Sequence, residues 1–265
     1  MRASLLTATL FTLAACGSEK DSNDPADPTD PTDPPTADES ARDSDEVASI
    51  LTAHLRAEFP FQLQLAQISK GQPVDGFSVA SGTNTAGQLE YTGSGVIGGL
   101  NIALVFHCND GINEPIPYVP CDGTANHSHV KVTTSGAQTA DSLNMDAIDR
   151  LVDWEIRDLL AGKARFRGPD SLSVHTSVTT DNEPADYNID FTAVYEKVRY
   201  LAADVFPTFG TIDFQLSIDR MRGDDHRVFN AVGHLVYGAS GVPTTLSLDD
   251  ATYNLDLTLG KAVRQ

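Results

Sequence analysis

The sequence predicts a mainly β protein, with antiparallel sheet(s) arranged as a sandwich or an open half-barrel, accompanied by two amphipathic helices. Three observations carry this reading. From residue 171 to the end, apolar and polar residues alternate with the period of two that buries one face of a sheet and wets the other. Asn109-Asp110-Gly111 and Cys121-Asp122-Gly123 are turn signals of the kind that separate strands. Only two stretches, 43–58 and 141–160, place apolar residues at clear helical spacing. The chain has 265 residues and a formal net charge of −19. A folded part over 44–265 is large enough for one core, or for two lobes divided near 141–162. So acidic a chain excludes nucleic acid as a partner, because binding a polyphosphate takes clustered Lys and Arg.

Taken in order, the chain opens with Arg2 followed by a short apolar run that ends in small residues and Cys16. About a dozen apolar residues fall short of the roughly 20 that span a bilayer as a helix, so this is an export signal and not a membrane span. Its last four residues, Leu13-Ala14-Ala15-Cys16, resemble the lipobox of bacterial lipoprotein precursors. The resemblance implies that residues 1–15 are a signal peptide. It also implies that Cys16 becomes the first mature residue, acylated with palmitate-type chains, and that the protein is held extracytoplasmically at a membrane through that cysteine. Gly17 stands where the family's inner-membrane retention signal often has Asp, which implies the outer membrane of a Gram-negative bacterium. With Cys16 lipidated, Cys108 and Cys121 are left in a compartment where thiols oxidise, and they are expected to pair rather than stay free.

Residues 16–43 read as a disordered linker. Asp-Pro steps at Asp24, Asp27, Asp30 and Asp33 favour polyproline II, which sets these carboxylates about 9 Å apart along one edge. That is too wide for two neighbours to grip one cation, so the segment is a solvated spacer and not a calcium chelator.

The first helix is expected at 43–58, opened by Asp43 with Glu46 three residues later and ended by Pro60. Its apolar face carries Val47, Ile50, Leu51, Leu55 and His54, the last as a packed core histidine. Phe61, Leu63 and Leu65 then alternate with polar neighbours as in a strand, and further strands are expected at 77–80, 88–92 and 96–107. Between them, Gly93-Ser94-Gly95-Val96-Ile97-Gly98 matches the dinucleotide fingerprint only formally, because residues 100–106 beyond it have strand and not helix composition. These glycines are expected in turns and bulges. His127 and His129 share one strand face and form a usable metal pair, to which His107 or His175 would add a third ligand if the strands are neighbours. The alternative is a solvated strand face.

The second helix is expected at 141–160, with Ile148, Leu151, Val152, Leu159 and Leu160 on its apolar face and Asp146 four residues before Arg150. Lys163, Arg165 and Arg167 come after it as a helix end running into a basic strand face, or as an anion-binding cluster. Near-copies of one strand pattern occur at Tyr187-Asn188-Ile189-Asp190-Phe191-Thr192, at Thr211-Ile212-Asp213-Phe214 and at Tyr253-Asn254-Leu255-Asp256. They predict strands with an apolar core face and a wet face of Asp, Thr and Asn, whose carboxylates are staggered to avoid repulsion. Such a face could bind sugars or cations.

GxSxG, HExxH, phosphate-loop and paired CxxC motifs are absent, which turns the expectation away from an enzyme without excluding a triad assembled by geometry. The expected function is that of a membrane-anchored envelope lipoprotein whose β-rich domain acts as a binding or scaffold module for a protein or a glycan, with no cofactor. Two alternatives stand beside it. One is a lipid or hydrophobe carrier of half-barrel type, an analogy from element order alone. The other is a metal-binding lipoprotein acting through His127 and His129.

Overall fold

A computed structural model describes residues 35–111, 118–140, 143–200, 204–239 and 241–265. The stretch expected as a signal, Cys16 and the Asp-Pro repeat lie outside the described residues. Pro35–Gln265 form one compact unit.

That unit is a single helix followed by a long antiparallel meander. The helix, α1, spans Ala37–Ile68. Thr36 opens it with a capping box, its hydroxyl accepting from the Glu39 amide while the Glu39 carboxylate accepts from the Thr36 amide. Of the residues expected as linker, 37–43 are helical, and Asp43 is a buried residue and not a cap. Pro60 does not end the helix, and 61–67 is not a strand. Proline costs the helix one amide bond and crowds the carbonyl a turn earlier, but Pro60 is itself exposed and its neighbours Glu58, Phe59, Phe61 and Gln62 are buried, so packing on either side of it holds the helix.

The strands are β1 (Phe77–Thr83), β2 (Leu89–Ile97), β3 (Leu100–Asn109), β4 (Tyr118–Val119), β5 (His127–Ala140), β6 (Leu143–Arg157) and β7 (Arg165–Thr180). They continue with β8 (Glu183–Arg199), β9 (Phe209–Arg222), β10 (Asp225–Val236), β11 (Thr244–Leu248), β12 (Ala251–Asp256) and β13 (Lys261–Arg264). All 13 belong to one sheet in chain order, with β4 alone off the path as a short partner of β3. The sheet is antiparallel throughout and does not close, because among the described residues β1 pairs only with β2 and β13 only with β12. The mainly β, open antiparallel architecture agrees with the expectation.

The second helix does not exist. Residues 143–157 are β6, in the middle of the sheet, with Ile148, Arg150, Val152, Trp154 and Ile156 facing inward at a period of two. The sheet runs through this segment without interruption, so 141–162 is not a boundary between lobes. The turns are local. Gly98 and Gly99 both have positive φ in the two-residue turn between β2 and β3, and Asp181 and Asn182 do the same between β7 and β8; primed turns of this kind match the strand twist. At Gly168, φ is 136° and an added Cβ would sit 2.2 Å from the Asp153 carbonyl oxygen. Only glycine fits there, at the bulge in the pairing of β7 with β8.

One face of the sheet wraps α1. Val47, Leu51, Leu55, Phe59 and Leu65 are buried against inward side chains of the strands such as Phe106, Trp154, Phe166, Phe191 and Phe214. The helix is buried over most of its circumference between residues 46 and 55. It is also acidic, and the strands answer with cations and phenols. Asp43 pairs with Arg222 at 3.0 Å, with Arg220 at 3.3 Å and with Arg227. Glu46 accepts from the Tyr187 hydroxyl at 2.6 Å and from Arg222 at 2.7 Å. Glu58 accepts from Arg150 at 2.6 Å, Gln62 at 2.6 Å and the Tyr195 hydroxyl at 3.0 Å, and Arg150 also holds the buried Asp170 through Nε at 2.9 Å. Burial pushes the Tyr187 and Tyr195 hydroxyls well above their ordinary range, and the neighbouring Glu46 and Glu58 carboxylates add to the effect, so both act as donors.

Candidate binding surface

With the inner face occupied by α1, the outer face is what the sheet offers to other molecules. Its composition follows from the strand pattern: most inward residues are apolar and alternate with an outward Ser, Thr, Asn, Gln or Asp. Antiparallel register then aligns these outward residues across strands. Asn101 on β3 stands opposite Ser135 on β5, and Ser135 opposite Asp149 on β6. The line continues through Ser173 on β7, Asp190 on β8, Ser217 on β9 and Asn230 on β10. All seven side chains of this row are polar and exposed. At about 4.8 Å between strands the row crosses roughly 29 Å of surface.

The part of the row from Asp149 to Asn230 lies in a depression of about 630 Å³. A second, parallel row of Leu151, Ser171, Thr192 and Gln215 completes it. The Ser173 hydroxyl donates to Asp190, and the Ser171 hydroxyl donates to the Leu151 carbonyl at 3.3 Å. Among the described residues, the side chains of Asp149, Thr192, Gln215, Ser217 and Asn230 make no hydrogen bond or ion pair that would occupy them. Leu151 is 55% exposed and Val232, at the β10 end, 64%. The result is a net-negative, hydrogen-bonding trough with an apolar residue at each end.

The echoed strand pattern behaves as expected here. Asp190 stands opposite Ser217 and Asp213 opposite Val194, so the two carboxylates are staggered along neighbouring strands, and Asp256 lies several strands away. The other residues singled out from the sequence lie elsewhere. His127 and His129 do share the outer face of β5, and His107 stands directly opposite His129 with ring centroids 5.2 Å apart. His175 does not join them; it sits on β7 beside Asp146 at 3.7 Å. His129 is engaged by Asp153 and Lys131 shares that carboxylate at 3.5 Å. Burial, with the His129 and Lys131 charges, lowers His107 to about 4, and burial followed by Arg157 lowers His127. Among the described residues no group of three or more His, Cys, Asp or Glu side chains has the geometry of a metal site. Arg165 pairs with Asp158 at 2.6 Å and Arg167 with Glu196 at 3.4 Å, so two of the three cations of this stretch are matched by their own surroundings, while Lys163 is exposed.

Cys108 and Cys121 form a disulfide beneath the C-terminal end of α1. The chain packs tightly there: a Cβ on Gly71 would meet the Cys121 carbonyl oxygen at 2.5 Å. Among the described residues no helix is long and apolar enough to cross a membrane. What the fold and the trough define is a class: an open meander wrapped on a helix, with a polar outer face. No protein-family model, curated protein or solved structure matches the chain.

Proposed function

We propose that this chain is a membrane-anchored envelope lipoprotein whose β-rich domain is a binding module, and that its partner is a protein segment lying across the trough of β6 to β10. The observation that carries the reading is the cross-strand row from Asn101 to Asn230, a register of seven exposed polar side chains with the free ones concentrated in a depression. Asp149 and Asp190 select a neutral or cationic partner, as does the chain's net charge of −19. Polar groups flanked by the exposed Leu151 and Val232 have the mixed composition of protein interfaces. A glycan is the second candidate, but the trough offers no aromatic side chain for a sugar ring to lie on, since Phe191 points into the core.

A photo-crosslinking residue placed at Ser217 or Thr192 in the full chain tests this in the intact envelope. The expected result is one discrete peptide-containing adduct from both positions, lost on Ser173→Arg, and no such adduct from Asp256 on β12. A glycan adduct would replace the protein reading by the second one, and equal labelling from Asp256 would remove the trough from consideration. The anchor has its own test: Cys16→Ser is expected to move the protein from the membrane fraction to the soluble one, and continued membrane attachment would refute it.

A further inference from the structure

A second, unrelated cavity lies inside the domain, between α1 and the strands β2, β3, β5 and β6, with a volume of about 200 Å³. Its entrance is bounded by Pro60 and by Gly98 at the β2–β3 turn, both exposed. Its walls are mainly apolar, formed by Phe61, Ile97, Leu100, Ile102 and Ile148, with Thr134 and Gln138 of β5 as polar members. At its inner end lies His54, 6% exposed, with neither Nδ1 nor Nε2 hydrogen-bonded. The Glu58 carboxylate approaches Nε2 only to 3.6 Å. A buried polar side chain without a partner is costly, on the order of 1–3 kcal/mol, and such a group calls for an explanation.

The neighbours do not supply the missing partner. Both Glu58 oxygens are taken, one by Arg150 and Gln62 and the other by Tyr195. Arg150 is committed to Glu58 and Asp170. Glu58 and Arg150 therefore offer little to a water beside His54, which leaves Thr134 and Gln138 as the other polar groups of the wall. The space itself is larger than the roughly 150 Å³ that accepts a benzene ring in an apolar cavity, and smaller than pockets for drug-sized ligands at about 300–1,000 Å³. The two buried carboxylates outnumber the one buried cation, which disfavours an anion such as a fatty acid.

We propose that this cavity binds a small uncharged molecule with an apolar ring or short chain and a single hydroxyl, of the phenol or short alcohol class, whose hydroxyl bonds to His54. Burial, reinforced by the Arg150 charge, holds His54 at about 3, so the imidazole is neutral and offers one donor and one acceptor to such a hydroxyl.

The full chain is titrated calorimetrically with p-cresol, toluene and 4-methylbenzoate. Emission of Trp154, the one tryptophan of the chain, gives a second readout, because its ring lies 5.2 Å from the Arg150 guanidinium at the cavity wall. The expected result is saturable binding of one p-cresol, toluene weaker by about tenfold or more, and no binding of the benzoate. His54→Phe should reduce p-cresol to the affinity of toluene, and Ile148→Trp, which fills the cavity, should abolish both. Absence of saturable p-cresol binding, as for a cavity that holds only water, would overturn the proposal. So would equal affinity for p-cresol and toluene in the unmodified chain, a comparison that depends on no variant folding.

Discussion

At the scale of single residues, the interior shows how far a polar side chain can be carried into a core when its neighbours are arranged for it. His54 is the case with a measurable signature. In the folded chain it stays neutral down to about pH 3, while in the unfolded chain it takes up a proton at its ordinary value near 6.5. The unfolded state therefore binds more protons below pH 6.5, and stability falls as pH drops from about 6.5 toward 3, by up to about 1.4 kcal/mol per pH unit, and is unaffected above that range. Urea unfolding of the unmodified chain and of His54→Phe at several pH values isolates this contribution. Their stability difference should shift steadily in favour of the variant between pH 6 and 4, and a difference that stays flat would mean that His54 is charged or solvated in the fold. The location of His54 was legible from helical spacing around Val47, Ile50 and Leu51. Its lack of a partner was not, because that depends on where Glu58, Arg150 and Tyr195 spend their hydrogen bonds.

At the scale of elements, α1 is docked as much by charge as by apolar contact. Asp43 meets three arginines of β9 and β10 while being almost fully buried. Asp43→Ala removes the carboxylate these arginines share, leaving Arg222 only Glu46 and Arg220 only Asp225, and is expected to cost about 3–5 kcal/mol in chemical denaturation. Thr36→Ala removes only an exposed cap and is expected to cost about 1 kcal/mol. If the two variants proved equally mild, the buried cluster would not be what holds the helix. The same charges explain the misread strand. Ile148, Val152 and Ile156 recur every four residues, as on a helix, and also every second site when Arg150 and Trp154 are counted as inward. A charged residue at position 150 breaks the apparent alternation, and what makes it acceptable inside, Glu58 and Asp170, lies 92 and 20 residues away in sequence. By contrast β8 was readable at once, since Ile189, Phe191, Ala193 and Tyr195 alternate with polar residues and require no distant partner. Residues 61–67 failed for a related reason: Pro60 is a strong local stop signal, and only the surrounding sheet outweighs it.

At the scale of the whole molecule, every long strand pairs with the strands beside it in the chain, while α1 reaches from the middle of the sheet to its last strand. Arg264 on β13 bonds Asp45 at 2.7 Å and the Ala41 carbonyl at 2.8 Å, joining residues 219 and 223 positions apart. The Cys108–Cys121 bridge is a local constraint by comparison, with a sequence separation of 13. Replacing both cysteines with serine should lower stability by roughly 3 kcal/mol through the freed unfolded chain, without changing the outer-face trough. A loss of the whole fold, followed by circular dichroism, would show instead that the bridge is needed to seat the C-terminal end of α1. The row of polar residues that forms the trough belongs to this scale too. Asp190 was visible in the echoed pattern, but its alignment with Asp149, Ser217 and Asn230 depends on the register of several hairpins together, which no single segment encodes.

The order of the meander also bears on how the molecule is made. A chain emerging from its N-terminus presents α1 first, then lays each strand beside the one just completed, so no strand must wait for a distant mate before its backbone is paired. The acidic helix precedes every strand in the chain, and its carboxylates gain their partners in sequence as Arg150, Tyr187, Arg220 and finally Arg264 arrive, the last contact fastening the winding only when the C-terminus is out.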